Sequence, residues 1–369
     1  MAVGLLVALL LGTIIWTCLT IALGASRVGA GYGEVRKLRP GGVLIDLMGQ
    51  HVLAMGIARD PHFAGRAVLP RPVYGHDASL AVLPGGGGVL VGDGNALVRC
   101  DWQFIARDVT PLAALLKEDG EWDIRHVVAD EKWIALVARE GRSAAKPDRA
   151  VLLAWERRAG PAGRVACELP PWVTGLHVDG RRDRAVVFHS DAVRTVDLAT
   201  GAVRNTGIRG DWSVADYDAD RGCLLTGDAF AGRKPVVVRA DPDDWRQHRI
   251  GEASAAAWGP GDLIYYCRGA SELWQCTSEG KRHERILLIK EARPGPMGSA
   301  MGDIVSPSTP RGLLRASRDR SVLSFAYAWG KLPREPDQFG LVLLDTKARE
   351  LRILEGVHAS ANRRLLPAP

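Results

Sequence analysis

Short apolar runs separated by polar turns follow one another along most of this chain. Three segments show the pattern best: residues 122–140 (WDIRHVVADEKWIALVARE), 172–190 (WVTGLHVDGRRDRAVVFHS) and 212–229 (WSVADYDADRGCLLTGDA). Each opens with Trp, continues as a short strand that ends near an Asp, turns, and resumes as an apolar strand. A helix would need apolar residues at three- and four-residue spacing, whereas these runs are short and bounded by Gly and Asp. The pattern therefore predicts β-hairpins.

A third strand and a return turn follow each hairpin. The equivalent turn positions are Asp101, Glu156, Asp197, Asp241, Thr277 and Asp345. Their average spacing is about 49 residues, as in four-stranded repeats that stack on their neighbours to bury their faces. We therefore predict an all-β fold, a β-propeller of four-stranded blades, over residues 41–369. Six blades are visible, and a seventh can be assembled from residues 41–76 and the C-terminal strand. We favour seven, with six as the alternative.

The segment Asp197–Val203 (DLATGAV) resembles the D-x-x-T-G turn of WD40, YVTN-type and quinoprotein-like propellers. The resemblance implies the fold for about residues 77–355. Asn205 stands where quinoprotein repeats carry a Trp, so the resemblance implies no quinone and we predict no cofactor.

Tryptophan supports a repeated packing role. The chain has eleven, and all except Trp16 lie at or beyond Trp102, spread over the proposed blades. Large rings fill the tapered gaps between radially stacked sheets. Packing between blades is therefore the favoured interpretation, and a ligand-stacking surface is the alternative.

The N-terminal segment predicts a membrane anchor. Residues 2–24 contain no charged side chain, and as a helix they would be about 35 Å long, enough to cross the bilayer. The segment lacks the basic start of a secretory leader and is longer, which favours an uncleaved anchor (residues 1–26, then a linker, 27–40) over a removed peptide. Positive charges at Arg27, Arg36, Lys37 and Arg39 favour a cytoplasmic domain, whereas an anchor before a stand-alone all-β domain is typical of export. We expect the propeller outside the cytoplasm.

Charge argues against nucleic-acid binding. The net charge is +6, and 48 basic residues are interspersed with 42 acidic ones. Nucleic-acid binders concentrate Lys and Arg on one face. Here the basic clusters fall mostly in predicted turns, which indicates solvated loops.

Asp216, Asp218 and Asp220 alternate before Gly222, as in an Asp-rich calcium loop. Alternate carboxylates on a turning backbone can converge on a hard cation. However, Gly comes one residue late and Gly227 stands where a bidentate Glu is wanted. A strand-to-strand turn is favoured, and we predict no metal site.

Two cysteines flank a predicted hairpin. A tight turn near Ser271 would place Cys267 and Cys276 opposite each other, where a disulfide is conceivable. Buried free thiols on neighbouring strands are the favoured alternative.

No linear catalytic motif is present. The sequence has no G-x-S-x-G elbow, and its nine histidines are scattered singly. His177 and His189 fall within predicted strands, where a lone imidazole is more often a packing residue than a ligand.

Three functions remain, of which a carbohydrate- or metal-binding module is the third. The favoured one is a membrane-anchored propeller that binds a protein or peptide partner through its loops, chiefly residues 141–149, 293–311 and 331–338. The alternative is an extracytoplasmic hydrolase or lyase with its site at the channel mouth. Three or more ionisable groups converging at the axis would favour the enzyme.

Overall fold

Residues 35–369 form one compact unit. The computed structural model describes residues 42–47, 49–56, 62–73, 80–101, 106–118, 120–141, 149–210, 212–227, 236–253, 255–268, 272–288, 314–317, 319–329, 338–355 and 364–365. In this part of the chain no helix combines the length and apolarity needed to cross a bilayer. The predicted anchor at residues 2–24 lies outside the described residues.

The described strands form seven four-stranded antiparallel sheets. Sheet 1 contains β1 (Gly42–Leu47), β2 (Gly49–Gly56), β3 (His62–Val73) and the last strand of the chain, β28 (Arg364–Leu365). Sheet 2 contains β4 (Leu80–Val82), β5 (Val89–Asp93), β6 (Ala96–Cys100) and β7 (Ala106–Pro111). Sheet 3 contains β8 (Trp122–Ala129), β9 (Trp133–Glu140), β10 (Ala150–Glu156) and β11 (Val165–Leu169).

Four further sheets follow in chain order. Sheet 4 contains β12 (Val173–Asp179), β13 (Arg184–His189), β14 (Ala192–Asp197) and β15 (Val203–Arg209). Sheet 5 contains β16 (Trp212–Asp218), β17 (Gly222–Gly227), β18 (Val236–Ala240) and β19 (Gln247–Glu252). Sheet 6 contains β20 (Ala255–Trp258), β21 (Leu263–Arg268), β22 (Glu272–Thr277) and β23 (Glu284–Leu288). Sheet 7 contains β24 (Leu314–Ala316), β25 (Val322–Trp329), β26 (Gln338–Asp345) and β27 (Glu350–Glu355).

Sheet 1 joins the two ends of this unit. β1 pairs with β28, with Val43 opposite Leu365 and Leu44 opposite Arg364. β28 also contacts the first strands of sheet 7. A short helix, α1 (Leu112–Leu116), follows β7 and buries Leu112 and Leu115 before sheet 3 begins.

Both faces of the inner strands are buried, which explains the continuous apolar runs in the sequence. In β13, Ala185 and Val187 pack toward sheet 3, whereas Val186 and Phe188 pack toward sheet 5. The alternation of a strand sends successive side chains to opposite faces. Each central sheet therefore contributes to two cores, one with each neighbour.

Most described tryptophans pack in these cores. The buried ones are Trp122, Trp133, Trp155, Trp245 and Trp258, and Trp212 packs against the core between sheets 4 and 5. The packing interpretation therefore holds for them. Trp172 differs, because it is 46% exposed.

First strands of successive sheets are neighbours: β4 lies against β8, β8 against β12, β16 against β20, and β20 against β24. The first strands therefore run in the same direction, and the set of stacked sheets has two distinct ends, defined by which strand connections lie there. We call the turn end the one where short turns join the first and second strands of each sheet, such as residues 130–132, 180–183 and 219–221. The opposite end, which carries the sheet-to-sheet connections and the second-to-third-strand connections, is the loop end.

The hairpin of Cys267 and Cys276 has a different register from the one we considered. Cys267 lies opposite Leu273, and Cys276 lies opposite Ile264. The two side chains point to opposite faces of sheet 6, one into the core with sheet 7 and the other into the core with sheet 5. Both are buried, and neither forms a disulfide within the described residues. The prediction that the two cysteines face each other was wrong, because the register is shifted by three residues: Cys267 pairs with Leu273 and not with Cys276.

Candidate functional site

At the turn end, an Asp closes the first strand of sheets 3, 4 and 5. Asp130 Oδ1 accepts from the backbone nitrogens of Lys132 and Trp133 at 2.8 and 2.6 Å. Asp218 Oδ1 accepts from those of Asp220 and Arg221 at 3.0 and 3.1 Å. An Asp side chain that bonds the backbone two or three residues ahead stabilises a tight turn. The main role of these aspartates is therefore to stabilise the turns.

Basic side chains of the same turns then reach the next sheet. Lys132 Nζ lies 2.6 Å from Asp183 of sheet 4, and Arg221 Nη1 donates to the carbonyls of Gly259 and Gly261 in sheet 6 at 2.7 and 2.6 Å. The Arg221 guanidinium also lies over the Trp258 ring at 4.5 Å. Sheet 3 is therefore clamped to sheet 4, and sheet 5 to sheet 6, at this end.

A fully buried carboxylate lies at the centre of one clamp. Asp179, with 0% exposure, accepts from the Tyr217 hydroxyl at 2.7 Å, from Arg182 Nη1 at 3.1 Å and from Arg184 Nε at 3.2 Å. Burial, assisted by the hydrogen bond to Asp179, raises the pKa of Tyr217, so the phenol stays protonated. A buried charge needs such partners because its desolvation is costly.

The three alternating aspartates do not converge on a common centre. Asp216 pairs with Arg320 of sheet 7 and accepts from the backbone nitrogen of Trp258 at 2.9 Å. Asp218 Oδ2 lies 2.7 Å from Arg221 Nη2, and Asp220 pairs with Arg181. Among the described residues, no group of three or more His, Cys, Asp or Glu side chains could hold a metal ion. The favoured interpretation as a turn fits this geometry.

Several ionisable groups nevertheless gather beside the first strands at the turn end. They are Asp216, Asp218, Arg221, Arg320 and, from β24, Arg315, whose Nη1 lies 3.5 Å from the Ala215 carbonyl. Burial by itself would raise the pKa of Asp218, but the hydrogen bonds and charge of Arg221 hold it below the usual value. The group is a set of ion pairs in which Asp218 stays ionised.

The loop end carries short connections, such as residues 190–191, and also the longest connections between described strands, such as residues 289–313. The strand ends joined by residues 142–148, 289–313 and 330–337 all lie here, together with Trp172. The three predicted contact loops fall largely or wholly within those ranges, outside the described residues. Backbone bonds from Gly141 to the Glu121 carbonyl and from Gly210 to the Asp191 carbonyl, each 2.9 Å, hold the described parts of this end together.

Both singled-out histidines lie in strands, as predicted. His177 in β12 packs its ring against Phe188 and Tyr217, with centroids 6.0 and 5.8 Å apart. His189 at the end of β13 is buried, and burial, followed by the charge of Arg194, lowers its pKa to about 4. The roles of Arg184, Arg194 and Arg320 were not predicted, because neither an Arg in a turn nor one in a strand gives a sequence signal that separates a clamp from a solvated side chain.

Comparison with known proteins supports the fold. No protein-family model matches the chain, and no curated protein matches it in sequence. Among solved structures, a protein of unknown function from Desulfotomaculum acetoxidans matches 90% of this chain and all of its own length at 10% identity with a TM-score of 0.53. The WD40 domain of Neurospora crassa Pan2 matches 92% of each chain at 12% identity, also with a TM-score of 0.53. This chain is a β-propeller.

Acylaminoacyl peptidase of Pyrococcus horikoshii is also similar to this propeller. The match covers 85% of the propeller chain but 50% of the peptidase, at 12% identity with a TM-score of 0.50. The chain thus spans about half the length of that enzyme. Likeness at this level of identity concerns the fold alone.

Proposed function

We propose that this protein is a membrane-anchored propeller that binds a protein or peptide partner at its loop end. The observation that carries the proposal is the contrast between the two ends. The turn end has short connections locked by ion pairs, whereas the loop end has the long connections and an exposed Trp172. Loops on a rigid scaffold are where binding residues are usually found.

The chemistry of the turn end supports binding over catalysis. A general acid or base works best with a pKa near the operating pH. The pKa of Asp218 is held down by Arg221, and Asp216 is engaged by Arg320 and the Trp258 backbone. These groups are suited to holding sheets 5, 6 and 7 together.

Trp172 supplies a contact suited to a partner. It stands at the start of β12, after Pro170 and Pro171, and its equivalents Trp122 and Trp212 are packed into cores. An exposed aromatic ring offers a large contact area at little cost in side-chain entropy. Trp is among the residues enriched at binding hot spots.

Two further parts of the proposal rest on the chain ends. The pairing of β1 with β28 and the contact of β28 with sheet 7 support a closed ring of seven blades. The uncharged run of residues 2–24 supports an uncleaved anchor, with the propeller outside the cytoplasm. Carbonate extraction of membranes containing the full chain tests the anchor: the protein should stay in the membrane pellet, and its release would refute this part.

Photo-crosslinking tests the binding face. A photoreactive amino acid replaces Trp172 at the loop end or, as the matched control, Arg349, which is exposed at the turn end. After irradiation of native membranes, we expect a discrete crosslinked product from position 172 alone. The same products from both positions, or from position 349 only, would contradict a loop-end site.

The ionisable cluster favours one alternative, a hydrolase or lyase at the turn-end mouth of the channel. Asp216, Asp218 and Arg320 form a group of three ionisable side chains beside the first strands. The purified full chain is assayed with ester, lactone and polyuronide substrates, comparing wild type with Arg320→Lys. Turnover by the wild type that is lost in Arg320→Lys would favour the enzyme, provided that the unfolding midpoint of the variant is close to that of the wild type.

A further inference from the structure

A second polar cluster lies at the loop end, between sheets 3 and 4. His189 of β13 and Arg194 of β14 lie on the face of sheet 4 that packs against sheet 3. Val187 lies on the same face, two residues before His189 and opposite Arg194, and it packs in the core between sheets 3 and 4. His189 is 2% exposed. The Arg194 side chain is 17% exposed, so the cluster opens toward the surface.

Several polar atoms here have no hydrogen-bonding partner among the described residues. By hydrogen-bond geometry they are both ring nitrogens of His189, Nη1 of Arg194 and the hydroxyl of Thr174, all buried. The Trp172 backbone lies near enough to the His189 ring to raise its pKa slightly, but too poorly aligned to satisfy a ring nitrogen. Thr174 lies at a bulge beside Val173, the residue opposite His189. Buried polar groups are normally satisfied, and each exception calls for an explanation such as a bound group. His189, Arg194 and Thr174 each carry a group that can donate a hydrogen bond.

The surrounding charges favour an anion. From sheet 3, His126, Arg139 and Asp123 face the cluster, since each shares the facing of Val137, and Arg125 lies 2.9 Å from Asp123. His126 Nε2 lies 3.3 Å from the Val173 carbonyl. Three arginines (Arg125, Arg139, Arg194) thus stand against two aspartates (Asp123, Asp191). The net formal charge is positive while both histidines are neutral.

Arg194 is held by a contact that a ligand can replace. Its Nη1 lies 3.6 Å from Asp191 Oδ1, and the Asp191 side chain is 71% exposed. At that distance the pair is outside hydrogen-bonding range, and an exposed ion pair contributes little. A carboxylate of a bound ligand could therefore take the place of Asp191 beside Arg194.

We propose that this cluster binds a carboxylate of an acidic segment in the partner, with Arg194, His189 and Thr174 as donors and Trp172 packing beside it. This inference rests on the proposed function and names the chemistry of the partner. Trp172 adjoins Val173, whose backbone pairs with that of His189. The low pKa of His189 indicates a neutral ring in the free protein, and a bound carboxylate would favour its protonated form.

The test uses the full chain in detergent and two capped peptides, tetra-glutamate and tetra-glutamine, at equal ionic strength. Binding is followed by Trp fluorescence, and the His189 pKa is followed by NMR, with its signal assigned by its loss in His189→Gln. We expect tetra-glutamate alone to bind and to raise the His189 pKa by about one unit or more. Arg194→Gln should weaken binding at least tenfold, whereas the control Arg204→Gln, on the outer strand of the same sheet, should not.

A further variant separates a binding role from a structural one. Asp191→Asn removes the competing carboxylate and should tighten tetra-glutamate binding several-fold, an effect that a purely structural role of Arg194 does not predict. Equal binding of the two peptides, binding that survives Arg194→Gln, or weaker binding in Asp191→Asn would overturn the proposal. If the peptide fails while crosslinking from position 172 still succeeds, only the acidic nature of the partner is refuted.

Discussion

Tyr217 donates its hydroxyl hydrogen to Asp179 Oδ2 over 2.7 Å, across the boundary between sheets 4 and 5. Asp179 also holds Arg182 and Arg184. Removing one partner of a buried ion pair leaves the other charge uncompensated. We expect Asp179→Ala to lower the free energy of unfolding by about 3–5 kcal/mol and Tyr217→Phe by about 1 kcal/mol, measured by urea denaturation in detergent.

Asp243 provides the matched control for Asp179. It lies 2.7 Å from Arg182 Nε but its side chain is 77% exposed, so water replaces it readily. Asp243→Ala should leave the urea midpoint nearly unchanged. If Asp179→Ala and Asp243→Ala lowered the free energy of unfolding equally, burial of the Asp179 carboxylate would not explain its contribution to stability.

Gly180 tests how closely the turns of sheets 3 and 4 approach. A Cβ at this position would lie 2.3 Å from Asp130 Oδ2, and Asp130 is held by the backbone of Lys132 and Trp133. Gly180→Ala should therefore lower the free energy of unfolding by about 1–3 kcal/mol. Gly163→Ala is the control, since a Cβ there meets nothing within 4 Å. A neutral Gly180→Ala would contradict the close approach.

His189 should make stability depend on pH in mildly acidic solution. Its pKa in the folded state is about 4, below the value of about 6.5 expected when unfolded. The unfolded chain therefore binds the extra proton first, and stability falls as pH drops from about 6.5 to about 4, by up to roughly 3 kcal/mol. Above pH 6.5 this effect is absent.

The measurement is the urea midpoint of the wild type and His189→Gln between pH 4 and 8. The substitution should remove this part of the acid sensitivity. His248→Gln is the control, because His248 lies on outer strand β19 with 36% side-chain exposure and should leave it in place. Identical pH curves for the wild type and His189→Gln would argue against a buried neutral ring.

Cys267 and Cys276 should be unreactive in the folded protein. Both are buried thiols outside any disulfide of the described residues, and burial, with a smaller effect of Asp262, raises the pKa of Cys276 to about 12. Since the thiolate is the nucleophile, alkylation should be slow until denaturant is added. Intact-mass and peptide analysis should then find both modified without reductant. A pair that resists alkylation in denaturant and reacts only after reduction would mean that the register is wrong.

Much of the local structure follows from short stretches of sequence. The strands of residues 122–140 and the turn at Asp197 are examples: Asp197 Oδ1 accepts from Ala199 N, Thr200 N and the Thr200 hydroxyl at 3.0, 2.8 and 2.9 Å. Every partner lies within three residues, so the sequence alone contains the information. Hairpin register is less local, and a small shift was enough to separate Cys267 from Cys276.

The sequence by itself determined the β-rich repeats, their turn aspartates and the propeller fold, because apolar alternation and Asp turns act over a few residues. Only the tertiary structure decided that Arg320 pairs with Asp216, 104 residues away in sequence. It also decided that His189 and Arg194 of sheet 4 lie on the face toward Arg139 of sheet 3. Those contacts depend on how sheets stack and which strand faces which. Stacking is set by the sum of many buried contacts, and no single stretch of the chain encodes it.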